Sequence, residues 1–283
     1  MDGYESPGAL LARHGLRPKK SWGQNFLADR EVQERIARLV DPRPGETVVE
    51  LGAGLGHLTS RLVGHGARVV AVERDRELAP VLRAELCASH PELEVVEADA
   101  ATFDFALVAR QTGPVTVCGN LPYHLGSPIL FHLLDLPAAV RRMVLMLQRE
   151  VVERIVARPG TPEYGLLSVL LNEIADCQLA LHVPRGAFVP PPEVDSAVLV
   201  ATVLERPRAP VESPERFRKL VKAAFAQRRK TLRNALRPVA EPARIERAAK
   251  AVGVDLTRRG ETLSVEEFAA LERALAATGA DQA

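Results

Sequence analysis

The stretch TVVELGAGLGHLTSRLVGHGARVVAVE, residues 47–73, decides the fold. Two β-branched runs, TVVELG (47–52) and ARVVAVE (67–73), flank a glycine-rich turn and an amphipathic segment, LTSRLVGHG. Both runs are apolar without alternation, as a strand buried on both faces requires. Strand, turn, helix and strand together make one βαβ unit, the crossover that joins parallel strands.

The pattern continues outward. LEVVEAD (93–99), VTVCGN (115–120) and RMVLMLQ (142–148) read as further strands, with ELAPVLRAELCAS and ILFHLLDL as helices between them. In RMVLMLQREVVERIV both periods are present, and the segment divides into a strand followed by a helix. CQLALHV and SAVLVATVLE predict two late strands on either side of PRGAFVPPPEVD. Alternation of this kind gives a doubly wound, Rossmann-like α/β domain. The proline- and charge-rich ERPRAPVESPE marks a linker. Beyond it 215–237, 241–252 and 264–277 predict helices, the last opened by a capping box between Ser264 and Glu267. The expected organisation is an α/β domain over 1–206, with a basic arm at 1–30, and a small all-helical domain over 207–283.

Composition excludes more than it assigns. No run approaches eighteen apolar residues, so no membrane span is expected. MDGYESPGALLARHG lacks the apolar core of a secretory signal. Cys87, Cys118 and Cys177 fit neither a disulfide framework nor a zinc pattern, which implies a reducing cytoplasm and no metal. A net charge of +1 gives no sign of a polyanionic partner, but its distribution does. Ser6–Ala28 holds Arg13, Arg17, Lys19 and Lys20 and no acid; Arg216–Arg233 holds eight basic residues and no acid. These segments are either solvated helical faces or a binding face for phosphates. In the second, Phe217, Leu220, Val221, Ala224 and Phe225 share one side, leaving Lys219, Lys222, Arg229 and Arg233 to point outward.

The turn after the first strand has the spacing G-x-G-x-G (Gly52, Gly54, Gly56), not the G-x-G-x-x-G of dinucleotide sites. Glu50 precedes it, and Glu73 ends the next strand, where a carboxylate accepts from both hydroxyls of a ribose. Asp99 ends the third, placed to accept from an adenine amino group. Three acceptors around a glycine turn, with no basic residue set for a pyrophosphate, suit S-adenosylmethionine rather than NAD.

GNLPYHL (119–125) follows the fourth strand into the same crevice. Asn120 Oδ1 and the Leu121 carbonyl can accept both N–H bonds of an exocyclic amine and stabilise charge that develops on nitrogen. Pro122 stiffens the loop, and Tyr123 offers a stacking face to a base taken out of its helix. The tetrapeptide alone reads equally well as a turn with a packing tyrosine. Phe188, ahead of the triple proline, is either a core residue or a second stacking face.

Taken together, KKSWGQNFL, VVELGAGLGHLT, AVERD, EADA, GNLPYHLGSPIL, MLQREVVERI, FVPPPEVDSAV, FAQRRKTLRNAL and RRGETLSVEEF resemble the KsgA family of ribosomal RNA adenine N6-dimethyltransferases, in its bacterial small-subunit branch. The resemblance covers about Arg17 to Leu275. It implies a class I S-adenosylmethionine-dependent methyltransferase acting on two adjacent adenines near the 3′ end of 16S rRNA, without an indispensable general base. Carried over by motif, the cofactor contacts are Asn25, Leu27, Gly52, Gly54, Glu73, Arg74, Asp99, Ala100 and Asn120. The adenine falls to Asn120, Leu121, Pro122, Tyr123 and Phe188. Arg17, Lys19, Lys20, Lys222, Arg228, Arg229, Lys230 and Arg233 become the expected RNA contacts, and a monomer with no membrane association is expected. His124, Leu125 and Gly126 depart from the family's Asn, Ile and Ser or Thr, and His124 receives no role. Three alternatives stand beside this reading: the antibiotic-resistance enzyme of large-subunit rRNA, a non-catalytic assembly factor, and an NAD-dependent oxidoreductase. QRRKTLRN and RRGETLSVEEF favour the small-subunit branch over the first.

Overall fold

A computed structural model describes residues 4–43, 45–227 and 229–280, with the main chain alone at 124, 279 and 280. Its strands are β1 (Phe26–Leu27), β2 (Thr47–Leu51), β3 (Arg68–Glu73), β4 (Leu93–Glu97), β5 (Val115–Asn120), β6 (Val140–Gln148), β7 (Ala175–Val183), β8 (Phe188–Val189) and β9 (Ser196–Val203). Seven form one sheet in the order β4-β3-β2-β5-β6-β9-β7, while β1 and β8 pair antiparallel as a separate ribbon. β2 pairs in parallel with both β3 and β5. The strand order therefore reverses at β2, and the carboxyl ends of β2, β3 and β5 open onto one crevice. β9 is antiparallel to β6.

The apolar runs read from sequence are the buried centre of this sheet: Val48, Val49, Leu51, Val69 and Val117 are fully buried. Each such side chain contributes roughly 1.5–3 kcal/mol on burial, which fixes the register through packing. β5 approaches β2 so closely that a Cβ built on Gly119 would lie 2.3 Å from the Leu51 carbonyl oxygen, so only glycine fits there.

The helices are α1 (Pro7–Arg13), α2 (Arg30–Val40), α3 (His57–Gly64), α4 (Leu78–Leu82), α5 (Phe105–Thr112), α6 (Gly126–Leu134), α7 (Arg149–Val156), α8 (Leu166–Ile174), α9 (Pro214–Phe225), α10 (Leu232–Ala235), α11 (Pro242–Val252) and α12 (Val265–Ala280). Local chemistry sets their starts. Asp29 accepts from the Val32 N–H at the head of α2, and Asp104 from the Leu107 N–H at the head of α5. The capping box is present as read: the Glu267 N–H donates to Ser264 Oγ, and the Ser264 N–H to Glu267 Oε2 at 2.8 Å. RMVLMLQREVVERIV divides into β6 and α7 as the sequence predicts.

Two expectations change. The helix predicted over 215–237 is two, because the chain leaves α9 after Phe225 and the Leu232 and Arg233 N–H groups donate to the carbonyls of Arg258 and Leu256. The chain also divides differently from a cut at 206. One compact unit holds residues up to 152 with 178–203, and the other holds 153–177 with 204–283. The second unit gains α8, whose neighbours are α9 and α12. In it Phe225 stands 6.0 Å, centroid to centroid, from Tyr164 and from Phe268. Among the described residues no helix is long and apolar enough to cross a membrane.

Candidate active site

The crevice at the ends of β2, β3 and β5 is a cavity of ≈ 1080 Å³, counting the space at its open mouth. It lies within the first unit. Asn25, Leu27, Gly52, Gly54, Glu73, Arg74, Asp99, Ala100, Asn120, Leu121, Pro122 and Tyr123 all line it. The residues read from motifs scattered over a hundred positions are thus brought to one wall.

Gly52 adopts φ +67°, and a Cβ there would stand 3.6 Å from the Asn120 carbonyl oxygen. This conformation, costly for side chains, brings the β2 turn against the β5 turn. Glu73 is buried. Its Oε2 accepts the Gly54 N–H and its Oε1 the Asp75 N–H, each at 2.7 Å. A carboxylate oxygen has a second lone pair, so Glu73 is held rigidly and still able to accept two hydroxyls. Burial raises its pKa, opposed by the N–H groups of Asp75, Gly54 and Arg74. Asp99 lies two residues past the end of β4 and is partly exposed. The Ala101 N–H, followed by the Arg74 guanidinium, lowers its pKa against the opposing effect of burial.

Arg74 lines the cavity, as its motif implies, but is not set for a phosphate. Its guanidinium is 3.1 Å from Asp99 and stacks 4.4 Å from the Trp22 ring centroid, so its charge is matched. Trp22, Gln24 and His57, which the sequence reading did not single out, also line the cavity. The His57 ring is buried edge-on to Tyr4 and donates Nε2–H to the Glu5 carbonyl, and burial takes its pKa down to about 4. Glu50 lines the cavity, 2% exposed, with Oε2 buried and unpartnered.

At the end of β5, Asn120 Nδ2 donates to the Asn25 carbonyl at 2.9 Å. That bond uses the nitrogen end of the carboxamide and leaves Oδ1 as the free acceptor. The Leu121 N–H donates to the Met146 carbonyl, which fixes the Asn120–Leu121 peptide, the one just before the Leu121 carbonyl that is the second acceptor. Tyr123 is anchored through its hydroxyl, 2.8 Å from Ser196 Oγ. The side chain of His124 lies outside the described residues.

Some sequence-read residues are placed elsewhere. Phe188 is absent from the cavity wall; it is 3% exposed, because β8 pairs with β1 and packs the ring into the hydrophobic cluster beneath the sheet. The core reading of Phe188 is the one the structure shows. Lys19 is paired with Asp75 at 2.7 Å and Glu77 at 2.5 Å, and Arg233 with Glu246, so each charge is matched by an acid. Arg17, Lys20, Lys222, Arg229 and Lys230 are exposed. Arg228 lies outside the described residues.

A glycine turn, the carboxylates of Glu73 and Asp99 and a pinned carboxamide meet at the switch point of a Rossmann-like methyltransferase fold. The model of the family described as ribosomal RNA adenine dimethylase matches residues 15–277, and the chain belongs to that family. It is 56% identical to the ribosomal RNA small subunit methyltransferase A of Anaeromyxobacter dehalogenans, over 97% of this chain and 99% of the relative. Among solved structures it resembles the 23S rRNA methyltransferase ErmE, with 28% identity, TM-score 0.68 and coverage of 89% of this chain and 100% of that one. A dimethyladenosine transferase from Plasmodium falciparum shares the fold at TM-score 0.73 and 22% identity, over 90% and 98% of the two chains. The chain is therefore an rRNA adenine methyltransferase, and its methyl donor is S-adenosylmethionine.

Proposed function

We propose that this enzyme dimethylates N6 of two adjacent adenosines in the 3′-terminal hairpin loop of 16S rRNA, as a cytoplasmic monomer active in small-subunit biogenesis. The observation that carries the chemistry is the pinned carboxamide: Asn120 Nδ2 on the Asn25 carbonyl, with Oδ1 left free in a cavity that Leu121 also lines. The choice of subunit is supported by 56% identity to a small-subunit relative against 28% to a large-subunit one.

The residues present fit the cofactor. Glu73 offers two fixed acceptors to a ribose, and Asp99 one to an adenine amine. The buried, unpartnered Glu50 Oε2 in the same lining marks a place where a hydrogen-bond partner is wanted. Asn25, Leu27, Gly52, Gly54, Arg74 and Ala100 complete that wall. The bound cofactor supplies an electrophilic methyl group on a sulfonium.

The protein must make a poor nucleophile attack. The N6 lone pair of adenine is conjugated into the ring, and two acceptors on its N–H bonds draw the nitrogen out of conjugation. Asn120 Oδ1 and the Leu121 carbonyl are fixed before substrate arrives, so stabilising the positive charge that develops on nitrogen costs no reorganisation. Tyr123, held at its hydroxyl end, presents its ring face to the flipped base. The displaced amine proton leaves to water, and no side chain of the site is required as base. After the first transfer one N–H remains, and one acceptor suffices to hold it for the second.

Asn120→Ala is the direct test of this chemistry. Loss of one preorganised acceptor should lower methyl transfer at saturating cofactor by about a hundredfold or more, while RNA binding measured by filter retention is unchanged. Turnover within a few-fold of wild type would remove Asn120 from amine activation.

A further inference from the structure

A chain of contacts through Lys19, Gln24 and Asp75 joins the cofactor carboxylate to the catalytic carboxamide. Asp75, two positions beyond Glu73, is 1% exposed. Its Oδ1 accepts from Lys19 Nζ and its Oδ2 from Gln24 Nε2, both at 2.7 Å. Gln24 Oε1 accepts the Lys19 N–H at 2.8 Å, which closes the loop upon itself. Segment 19–24 of the arm is thus gathered onto one buried carboxylate. On its other side, the Asp75 N–H is one of the donors that fix Glu73. Burial alone would raise the Asp75 pKa, yet Lys19, the Glu77 N–H and Gln24 hold it below the usual carboxylate value.

The residue after this tethered segment is Asn25, whose carbonyl receives Asn120 Nδ2. A carboxamide presents a donor at one end and an acceptor at the other, and the two are nearly the same shape. Which end meets the substrate amine is therefore decided by the partner behind it. Were the Asn25 carbonyl displaced, Asn120 would be free to turn its NH₂ toward the substrate, where it repels the N6–H bonds.

We propose that Asp75 is a positioning residue for methyl transfer: by tethering residues 19–24 it holds the Asn25 carbonyl where it orients the Asn120 carboxamide, and it couples that orientation to Glu73. The proposal rests on the site reading above, in which Glu73 meets the cofactor and Asn120 the adenine. Lys19 accordingly serves inside the catalytic unit.

Asp75→Asn keeps the shape and removes the charge, and Lys19→Met cuts the tether from the arm side. Each is measured for cofactor affinity, for kcat at saturating cofactor and for melting temperature, with Asn120→Ala as reference. Asp75→Asn should lower kcat at saturating cofactor about tenfold or more and weaken the cofactor by about the same factor, since small displacements of a reacting group are costly. Lys19→Met should lower kcat about threefold, Lys19→Arg should restore it, and the Asp75→Asn/Lys19→Met pair should be no worse than Asp75→Asn alone, as members of one network behave. If both single variants keep kcat within about twofold of wild type while Asn120→Ala is inactive, the tether is structural and the proposal is overturned. If Asn120→Ala itself retains turnover, the site reading falls and the tether's role falls with it. Should Asp75→Asn fold poorly, Lys19→Met, at a partly exposed position, carries the test alone.

Discussion

Glu50 and Glu73 sit in one cavity wall with different surroundings, and the difference makes them separable. Glu73 has two backbone donors, while one oxygen of Glu50 has no donor at all. Burial drives the Glu50 carboxyl up to about 8; the Thr59 hydroxyl opposes this without reaching hydrogen-bond geometry, and the Glu73 charge adds to it. An unfolded glutamate titrates at ~4.3. Between those values the folded chain keeps a proton that the unfolded chain has lost. Its stability therefore falls as pH rises through the window and levels off above it. Glu50→Gln removes that contribution, so its melting temperature should decline less steeply between pH 5 and pH 8 than that of the wild type. Identical slopes would contradict the assignment. For Glu73, replacement by Ala should weaken cofactor binding by roughly tenfold to a hundredfold in a calorimetric titration, the worth of hydrogen bonds to a charged acceptor. Unchanged affinity would take Glu73 away from the ribose. Residues such as Gly52, Glu73 and Asn120 were legible because each ends an apolar run, and the doubly wound fold sends every such end to one crevice. Trp22, Gln24 and Asp75 were not, because their meeting spans some fifty positions with no periodic signal: Gln24 reaches Asp75 across 51 residues.

Among elements, strand identity was readable and strand neighbourhood was not. β2 to β6 lie close to the predicted runs, since continuous apolar stretches leave little choice of structure. The β1–β8 ribbon has two residues a side, too short for any period, yet it decides that Phe188 is core. The long basic helix was overread for a related reason. Its apolar spacing persists past Phe225, but α9 stops there, and further on the Leu232 and Arg233 N–H groups bond to the Arg258 and Leu256 carbonyls instead of continuing one helix. The close approach of β5 to β2 is testable. At Gly119 a methyl group would press on the Leu51 backbone, which cannot move aside as a flexible side chain can. Gly119→Ala should cost roughly 3 kcal/mol or more in denaturant unfolding, at the upper end of overpacking effects. A loss below about 1 kcal/mol would show that β5 and β2 separate easily.

At the scale of the whole molecule, a near-neutral chain acts on a polyanion, so charge must be local. Lys222, Arg229 and Lys230 are exposed on the second unit, whereas Lys19 and Arg233 are matched by acids. Replacing Lys222, Arg229 and Lys230 together by Ala should make the slope of log affinity against log salt shallower by about 2 to 3, and replacing Arg233 should leave it unaltered. An unchanged slope in the triple variant would make that cluster a solvated face. The central claim concerns which adenines are modified. The measurement is to incubate the enzyme with methyl-labelled S-adenosylmethionine and each unmethylated ribosomal subunit separately, then to map the labelled bases. The account predicts label in the small subunit alone, as two methyl groups on N6 of each of two adjacent adenosines near the 3′ end. Label confined to the large subunit, or to positions other than adenine N6, would contradict it.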